Sequence, residues 1–171
     1  MSRKMLLFLV TVLGSVISGC WSVKEDHFAI YLLAEDIPAT DLSQLDISQV
    51  HLESEPIISS EDVVVYDNTS HTIELTQAAY ARLLEIFPMP VKVTGSPFVI
   101  CIGKERIYAG AFWTPLSSLS YDGVVILQPM DTTKTTIQIA LGYPVPDVFT
   151  GEDPRADPRI IKSLKQDKKL K

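Results

Sequence analysis

Three kinds of side chain in this sequence could do chemistry: histidines, cysteines and clustered carboxylates. The histidines are His27, His51 and His71. Because side chains two residues apart share one face of a strand, His51 and Glu53 could bind the same metal ion. A structural zinc site normally has four ligands, and no further ligands stand at a suitable spacing here. We therefore interpret these residues as polar groups on a solvated strand and predict no metal site.

The carboxylates occur in close pairs, but the pairs do not have the pattern of a catalytic site. They are Glu35-Asp36, Glu53 with Glu55, and Glu61-Asp62. General acid–base catalysis needs two converging carboxyl groups in different environments, whereas neighbours on a polar segment point apart into water. No calcium loop of the Asp-x-Asp-x-Asp-Gly type is present.

Nucleophile motifs are also absent from the sequence. It contains no Gly-x-Ser-x-Gly, Ser-x-x-Lys or His-Glu-x-x-His pattern and no glycine-rich phosphate loop. A Ser–His–Asp arrangement that assembles from distant segments stays open, since such triads have no fixed spacing. We predict no catalytic residue and no cofactor, and we consider a binding module better supported than an enzyme.

The N-terminus has the order of features that is typical of an export signal. A short positive segment, Ser2-Arg3-Lys4, precedes an almost continuously apolar run from Met5 to Ile17. This run is shorter than the roughly 20 residues of a membrane-spanning helix and leads into small residues. An export signal rather than a spanning helix is therefore predicted for residues 1–19.

The four residues Ile17-Ser18-Gly19-Cys20 resemble the lipobox of bacterial lipoproteins. In that family the signal peptide is cut before the cysteine, whose thiol then carries a diacylglycerol. The resemblance implies lipidation of Cys20, a tether over residues 20–27, and attachment to the extracytoplasmic side of a cell membrane or outer membrane. An ordinary cleaved signal peptide and an uncleaved signal anchor are the alternatives.

Composition and charge limit the class of partner. The chain has 171 residues, which favours one domain, and a net charge of −6. Residues 20–150 carry 17 acidic and 6 basic side chains, whereas residues 151–171 carry 7 basic and 4 acidic ones. Because nucleic-acid binding depends on clustered Lys and Arg, an acidic body argues against a nucleic-acid partner.

The basic segment 151–171 has two interpretations. Ile160, Ile161 and Leu164 form a narrow apolar stripe, so a short basic helix could lie on anionic lipid beside the acyl anchor. The alternative, which we favour, is a frayed and solvated tail.

The body, residues 28–150, is predicted to be an α+β domain with one mixed or antiparallel sheet. One main amphipathic helix is expected at about 77–87, because Thr76 is a good N-cap and apolar residues recur at helical spacing. Cys101, in an apolar segment, is expected in the core. Strands are expected at 28–33, 47–52, 63–66, 71–75, 98–102, 106–113, 124–127 and 136–141.

Residues 71–127 resemble the first periplasmic domain of SecD-type translocation proteins. The similar pattern is Ile73-Glu74-Leu75-Thr76, an amphipathic helix, and then Phe98 to Tyr108 with a hairpin at Gly103-Lys104-Glu105. That family tends to have Asp-Gly at the hairpin and also has transmembrane helices. The resemblance therefore implies a fold and an extracytoplasmic setting, but no translocase activity.

The segment from Phe112 to Gly123, here called the contact segment, has the composition of a recognition surface. Between two predicted strands, aromatic and hydroxyl side chains alternate with leucines, and the candidate binding residues are Trp113, Ser117, Ser118 and Tyr121. The alternative is a loop folded on its own Leu116 and Leu119, with Trp113 closing the edge of the core.

Together these features predict a membrane-anchored, non-catalytic lipoprotein of the cell envelope that binds a protein or a peptide. A small surface hydrolase or a solute-binding lipoprotein is the first alternative, and a purely structural spacer is the second.

Overall fold

A computed structural model describes residues 26–171, which form one eight-stranded mixed sheet and two α-helices. The sheet order is β2-β1-β5-β6-β7-β8-β4-β3, and β6 and β7 are its parallel pair. The elements are β1 (Phe28–Leu32), β2 (Ile58–Ser59), β3 (Val63–Asp67), β4 (Thr72–Leu75), α1 (Gln77–Leu84), β5 (Ser96–Ile102), β6 (Glu105–Trp113), β7 (Tyr121–Leu127), β8 (Thr136–Tyr143) and α2 (Pro158–Gln166). The expectation of a single sheet, mixed or antiparallel, is therefore confirmed, and the sheet is mixed.

The sheet is curled because its two edge strands are neighbours in sequence. β2 and β3 lie at opposite edges, yet a single 3-10 turn, Ser60–Asp62, joins them. Four residue steps reach at most about 14 Å, so the edges must come close together. The turn is held by the Asp62 carboxylate, which accepts hydrogen bonds from the amide and hydroxyl of Ser59, both at 2.8 Å.

One face of the sheet, here called the helix face, packs against both helices. A buried apolar cluster on this face contains the alternate β5 residues Phe98 and Ile100. Leu83 of α1 and Ile160 and Leu164 of α2 belong to the same cluster. Side chains on a strand alternate between its faces, so this arrangement buries every second residue of β5 beneath the helices.

The opposite face, here called the loop face, is covered by irregular chain. Val99 and Cys101 of β5 pack with Leu42 of the 3-10 turn Ala39–Gln44, and Trp113 packs with Ala39 of the same turn. The expected core position of Cys101 is confirmed, and burial raises the pKa of its thiol to about 11.

Two predicted elements of the body differ from the structure. The helix ends at Leu84 rather than at residue 87, because the amides of Glu85, Ile86 and Phe87 bond to carbonyls three residues back instead of four. Residues 47–52 form no strand, since only Leu52 pairs, in an isolated bridge with Leu33. The alternation of apolar and polar residues predicted a strand there, but apart from the bridge at Leu52 the segment does not pair with a strand.

The C-terminal segment is not the solvated tail that we favoured. It forms a second helix, α2, so the expectation of one main helix is also corrected. α2 begins after Asp157, whose carboxylate accepts the amide of Arg159 at 2.8 Å, and Leu164 is 0% exposed. Beyond α2 the chain runs beside β3: the amide of Tyr66 donates to the carbonyl of Lys169 at 2.7 Å, and the amide of Lys171 donates to the carbonyl of Tyr66 at 2.9 Å. The apolar stripe drives this packing while the lysines stay outside.

Candidate functional site

The two ends of β5 define two regions of functional interest. At its Ile102 end, the amide of Gly103 donates to the carbonyl of His27 at 2.9 Å, and the hydroxyl of Ser163 in α2 donates to the carbonyl of Asp26 at 3.0 Å. We call this region, where the chain leads toward Cys20, the anchor end. The Ser96 end lies about 20 Å away along the strand, and we call it the far end.

The predicted contact segment lies on the loop face and reaches the far end, but most of its candidate binding residues are buried. Trp113 is 0% exposed and stacks on Tyr121, with ring centroids 5.0 Å apart and planes 18° apart. Ser117 is also buried, whereas Ser118 is exposed. Burial raises the pKa of Tyr121 to about 12, so its phenol stays protonated. Ser118 can therefore contact a partner directly, whereas Trp113 is not accessible in this conformation.

The leucines of this loop have the opposite placement. Leu116 is 67% exposed and Leu119 is 42% exposed, and Val93 in the neighbouring segment is exposed as well. The alternative in which the loop folds on its leucines is therefore wrong in that detail, although Trp113 does close the core. We define Leu116, Leu119 and Val93 as the apolar loop surface.

Hydrogen bonds fix the loop that carries this surface. The hydroxyl of Ser117 donates to the carbonyl of Val93 at 2.7 Å, which joins the loop to the far end of β5. The phenol of Tyr143 lies 3.1 Å from the carbonyls of both Pro115 and Ser117. The buried hydroxyl of Thr114 donates to Gln128 at 2.9 Å. The buried polar and aromatic groups thus support the backbone of the loop that carries the exposed leucines.

A groove of about 680 Å³ lies at the anchor end, and it brings a serine, an aspartate and a histidine together. The carboxylate of Asp167 accepts a short hydrogen bond from Ser60 and lies 3.1 Å from Nδ1 of His27. His27, which belongs to the predicted tether, is exposed and contacts the C-terminal end of α2 through Asp167. Apolar lining comes from Phe28, Tyr31 and Pro56.

The order of these three groups does not suit nucleophilic catalysis. In a serine hydrolase, histidine takes the serine proton and the aspartate orients the histidine. Here the Ser60 hydroxyl donates directly to the Asp167 carboxylate, so histidine does not stand between them. The groove has the size of a small-molecule site, but its serine donates to a carboxylate and not to an imidazole.

The other histidines lie in two separate surroundings. His51 is 82% exposed, and its Nδ1 lies 2.6 Å from Glu35, whose pKa is lowered by that hydrogen bond. Its predicted alignment with Glu53 along a strand does not occur, because those residues are not in a strand.

His71 belongs to a partly buried polar cluster that sequence reasoning did not find. Its Nδ1 lies 2.9 Å from the phenol of Tyr66, and its φ of 52° is left-handed. Burial and the nearby Arg155 lower the pKa of His71, and burial raises the pKa of Tyr66 to about 12. Arg155 is itself paired with Asp153 at 2.7 Å. These groups come from separate segments, so no local spacing could have identified them.

Among residues 26–171 there is no group of three or more His, Cys, Asp or Glu side chains placed to hold a metal ion. In the same part of the chain, no helix has the length and apolar character needed to cross a bilayer. The predicted signal peptide, the lipobox and Cys20 lie outside the described residues.

Comparison with known proteins identifies no relative: no protein-family model, curated protein or solved structure matches the chain.

Proposed function

We propose that the protein is a lipoprotein, anchored through Cys20 on the extracytoplasmic side of a membrane, whose domain binds another envelope protein without catalysis. The apolar loop surface carries this proposal, because Leu116 is 67% exposed on a loop that hydrogen bonds hold in place. Exposed apolar groups beside polar ones are typical of protein-binding sites. The extracytoplasmic setting also agrees with the resemblance of residues 71–127 to the SecD-type domain, which stays a prediction.

Pre-organisation of the loop favours recognition. A flexible loop loses conformational entropy when a partner orders it, which subtracts from the affinity. In this loop Ser117 and Tyr143 already fix the backbone on both sides of Leu116. Binding a partner to the leucines would therefore need little further ordering.

The position of the anchor supports the same assignment. Six residue steps separate Cys20 from Asp26, so the tether reaches at most about 22 Å. A lipid on Cys20 would hold the anchor end near the bilayer, and the hydrogen bond from Ser117 to Val93 joins the loop to the far end. The apolar loop surface would then be accessible to proteins of the envelope.

Metabolic labelling with palmitate tests the anchor. We expect label on the wild-type protein and on Cys101→Ala, and none on Cys20→Ala. Cys101 is the matched control because it is the other cysteine of the chain and is buried in β5. Continued labelling of Cys20→Ala would contradict lipidation.

Cross-linking in intact cells tests the binding role. We expect Leu116→Ser combined with Leu119→Ser to lose cross-linked partners that the wild-type protein retains. Val64→Ser is the matched control, since Val64 is an exposed apolar residue on the edge strand β3. Equal cross-linking of all three proteins would exclude the apolar loop surface as the binding site.

The solute-binding alternative rests on the groove, whose volume of about 680 Å³ suits a small molecule. Native mass spectrometry of the purified protein tests it. A bound small molecule that is lost in Tyr31→Ala and retained in Leu116→Ser would favour this alternative. A hydrolase is less well supported, because Ser60 donates to Asp167 rather than to a histidine.

A further inference from the structure

The largest excess of basic side chains in the described chain is on α2 and the residues after it. Residues 158–171 carry six basic side chains and one acidic one. Two of the six are paired, Arg159 with Glu105 and Asp157, and Lys171 with Asp67. The remaining four form what we call the basic surface: Lys162, Lys165, Lys168 and Lys169.

α2 exposes these lysines because its apolar stripe is used for packing. Ile160, Ser163 and Leu164 are buried, whereas Lys162 and Lys165 are exposed. Lys168 is also exposed, and within residues 26–171 no carboxylate forms an ion pair with any of the four lysines. The charges of Lys162, Lys165 and Lys168 are therefore directed to solvent, and the half-buried Lys169 follows Lys168 directly in the chain.

The basic surface lies where the chain leads toward Cys20. The carboxylate of Asp167 at the end of α2 is 3.1 Å from His27, and Ser163 donates to the carbonyl of Asp26. The hairpin that carries the exposed Lys104 is bonded to the same stretch through the amide of Gly103. Basic side chains thus flank the point at which the tether enters the domain.

We propose that the basic surface rests on the anionic phospholipid headgroups of the bilayer that holds the acyl chains of Cys20. The proposal depends on the lipidation proposed above, because a tether of at most about 22 Å is what keeps the lysines close to that bilayer. Electrostatic attraction acts within a Debye length of about 8 Å in physiological salt. A lipid anchor combined with a polybasic patch is a physically sufficient membrane attachment.

The contact would set the orientation of the whole domain. An acyl anchor alone permits rotation about the tether, whereas lysines held on headgroups keep α2 against the bilayer. Lys169 also lines the groove, so the groove would open toward the headgroup region. The far end of β5, to which the loop with Leu116 is bonded, would then point away from the membrane.

Amine labelling of the full, lipidated protein in vesicles tests the orientation. We compare vesicles of phosphatidylcholine with vesicles that also contain phosphatidylglycerol, and measure acylation of each lysine by mass spectrometry. We expect Lys165 and Lys168 to react at least about fivefold more slowly on the anionic vesicles, with the difference removed by high salt. Lys92, which precedes the far end of β5 and pairs with Asp36, is the internal control and should not change.

Charge reversal gives a second measurement. Lys104, on the hairpin bonded to His27 through Gly103, should also be protected on anionic vesicles. In the variant K162E/K165E/K168E/K169E we expect Lys104 to lose this protection, while Lys92→Glu leaves it intact. Circular dichroism establishes that both variants fold.

The possible outcomes separate this inference from the lipidation on which it rests. A protein that does not float with neutral vesicles lacks the anchor, which is a failure of the proposed function. A protein that floats with both vesicle types but shows equal labelling of Lys165 on both overturns the inference about the basic surface. Protection that requires added membrane proteins instead of anionic lipid identifies an acidic protein as the occupant and also overturns it.

Discussion

The two faces of the sheet are buried by different means, and the difference decides what each can do. On the helix face, α1 and α2 bury apolar stripes that recur at regular spacing. On the loop face, irregular segments cover Trp113 and Val99, and backbone polar groups there are satisfied one by one by side chains such as Ser117 and Tyr143. Regular elements give a continuous core, whereas the irregular cover leaves apolar side chains at the surface.

Burial and exposure within one short loop serve separate purposes. Trp113 and Tyr121 are the large aromatic residues of the contact segment, yet they support the loop from below. The leucines that follow Trp113 lie on the outside. The aromatic residues therefore support the loop, while leucines only a few positions away are exposed to a partner.

The largest effect is expected from removing the support of the loop face. Trp113→Ala should lower the free energy of unfolding by about 3–5 kcal/mol, because it removes a fully buried ring. Urea unfolding followed by circular dichroism measures the loss. A loss below about 1 kcal/mol would show that the loop face is not part of the cooperative core.

A somewhat smaller loss is expected when the helix face is weakened through α2. Leu164→Ala should lower the free energy of unfolding by about 2–5 kcal/mol, since Leu164 is 0% exposed. Ile161→Ala, at a half-buried position of the same helix, is the matched control and should cost less. If Leu164→Ala is as stable as the wild-type protein, the C-terminal segment is a solvated tail after all.

A moderate effect on stability, which depends on pH, is expected from the polar cluster around Tyr66 and His71. The folded state lowers the pKa of His71, so the neutral imidazole is favoured and its contribution to stability is present above the unfolded pKa of about 6.5. That contribution is lost as the pH falls through the folded pKa. His71→Asn should therefore flatten the decline in stability between about pH 7 and pH 5, and asparagine tolerates the left-handed backbone of this position.

The control for this pH effect is Leu116→Ser, which changes an exposed side chain that does not titrate. We expect this variant to keep the wild-type dependence of stability on pH in the same interval. Identical pH profiles for His71→Asn and the wild-type protein would show that the Tyr66–His71 contact does not couple protonation to folding.

The smallest effect on stability is expected at the apolar loop surface. Leu116→Ser should change the free energy of unfolding by less than about 0.5 kcal/mol, because Leu116 is 67% exposed. The difference between Leu116→Ser and Trp113→Ala in the same unfolding assay distinguishes the exposed leucines from the buried aromatic residues beneath them. A loss comparable to that of Trp113→Ala would mean that the leucine packs into the core in solution.

Much of the helix face could be predicted from the sequence, whereas the site regions could not. The helix around Leu83 and the strand around Ile100 follow from periodic apolar residues and from the Thr76 cap, which accepts the amide of Ala79 at 3.3 Å. α2 also has a periodic stripe, but the excess of lysines suggested a solvated tail. Only the position of the stripe against β1 and β5 shows which interpretation holds.

The groove and the polar cluster depend on contacts between distant segments. Ser60 and Asp167 are 107 residues apart, and His27 and Asp167 are 140 residues apart. No local pattern encodes such pairs, because they follow from the closure of the curled sheet and the return of α2. In the contact segment, the composition indicated a functional loop but could not distinguish the supporting aromatic residues from the exposed leucines.

The pairing of residues 169–171 with β3 has a consequence for biosynthesis. Tyr66 is made about 100 residues before Leu170, its partner on that side. At typical rates of synthesis, this interval lasts roughly 5 to 20 s. If the sheet forms before the C-terminal residues are in place, the outer edge of β3 presents unpaired amides and carbonyls, and such an edge invites intermolecular pairing. Folding that is completed only with residues 169–171 in place keeps this edge covered.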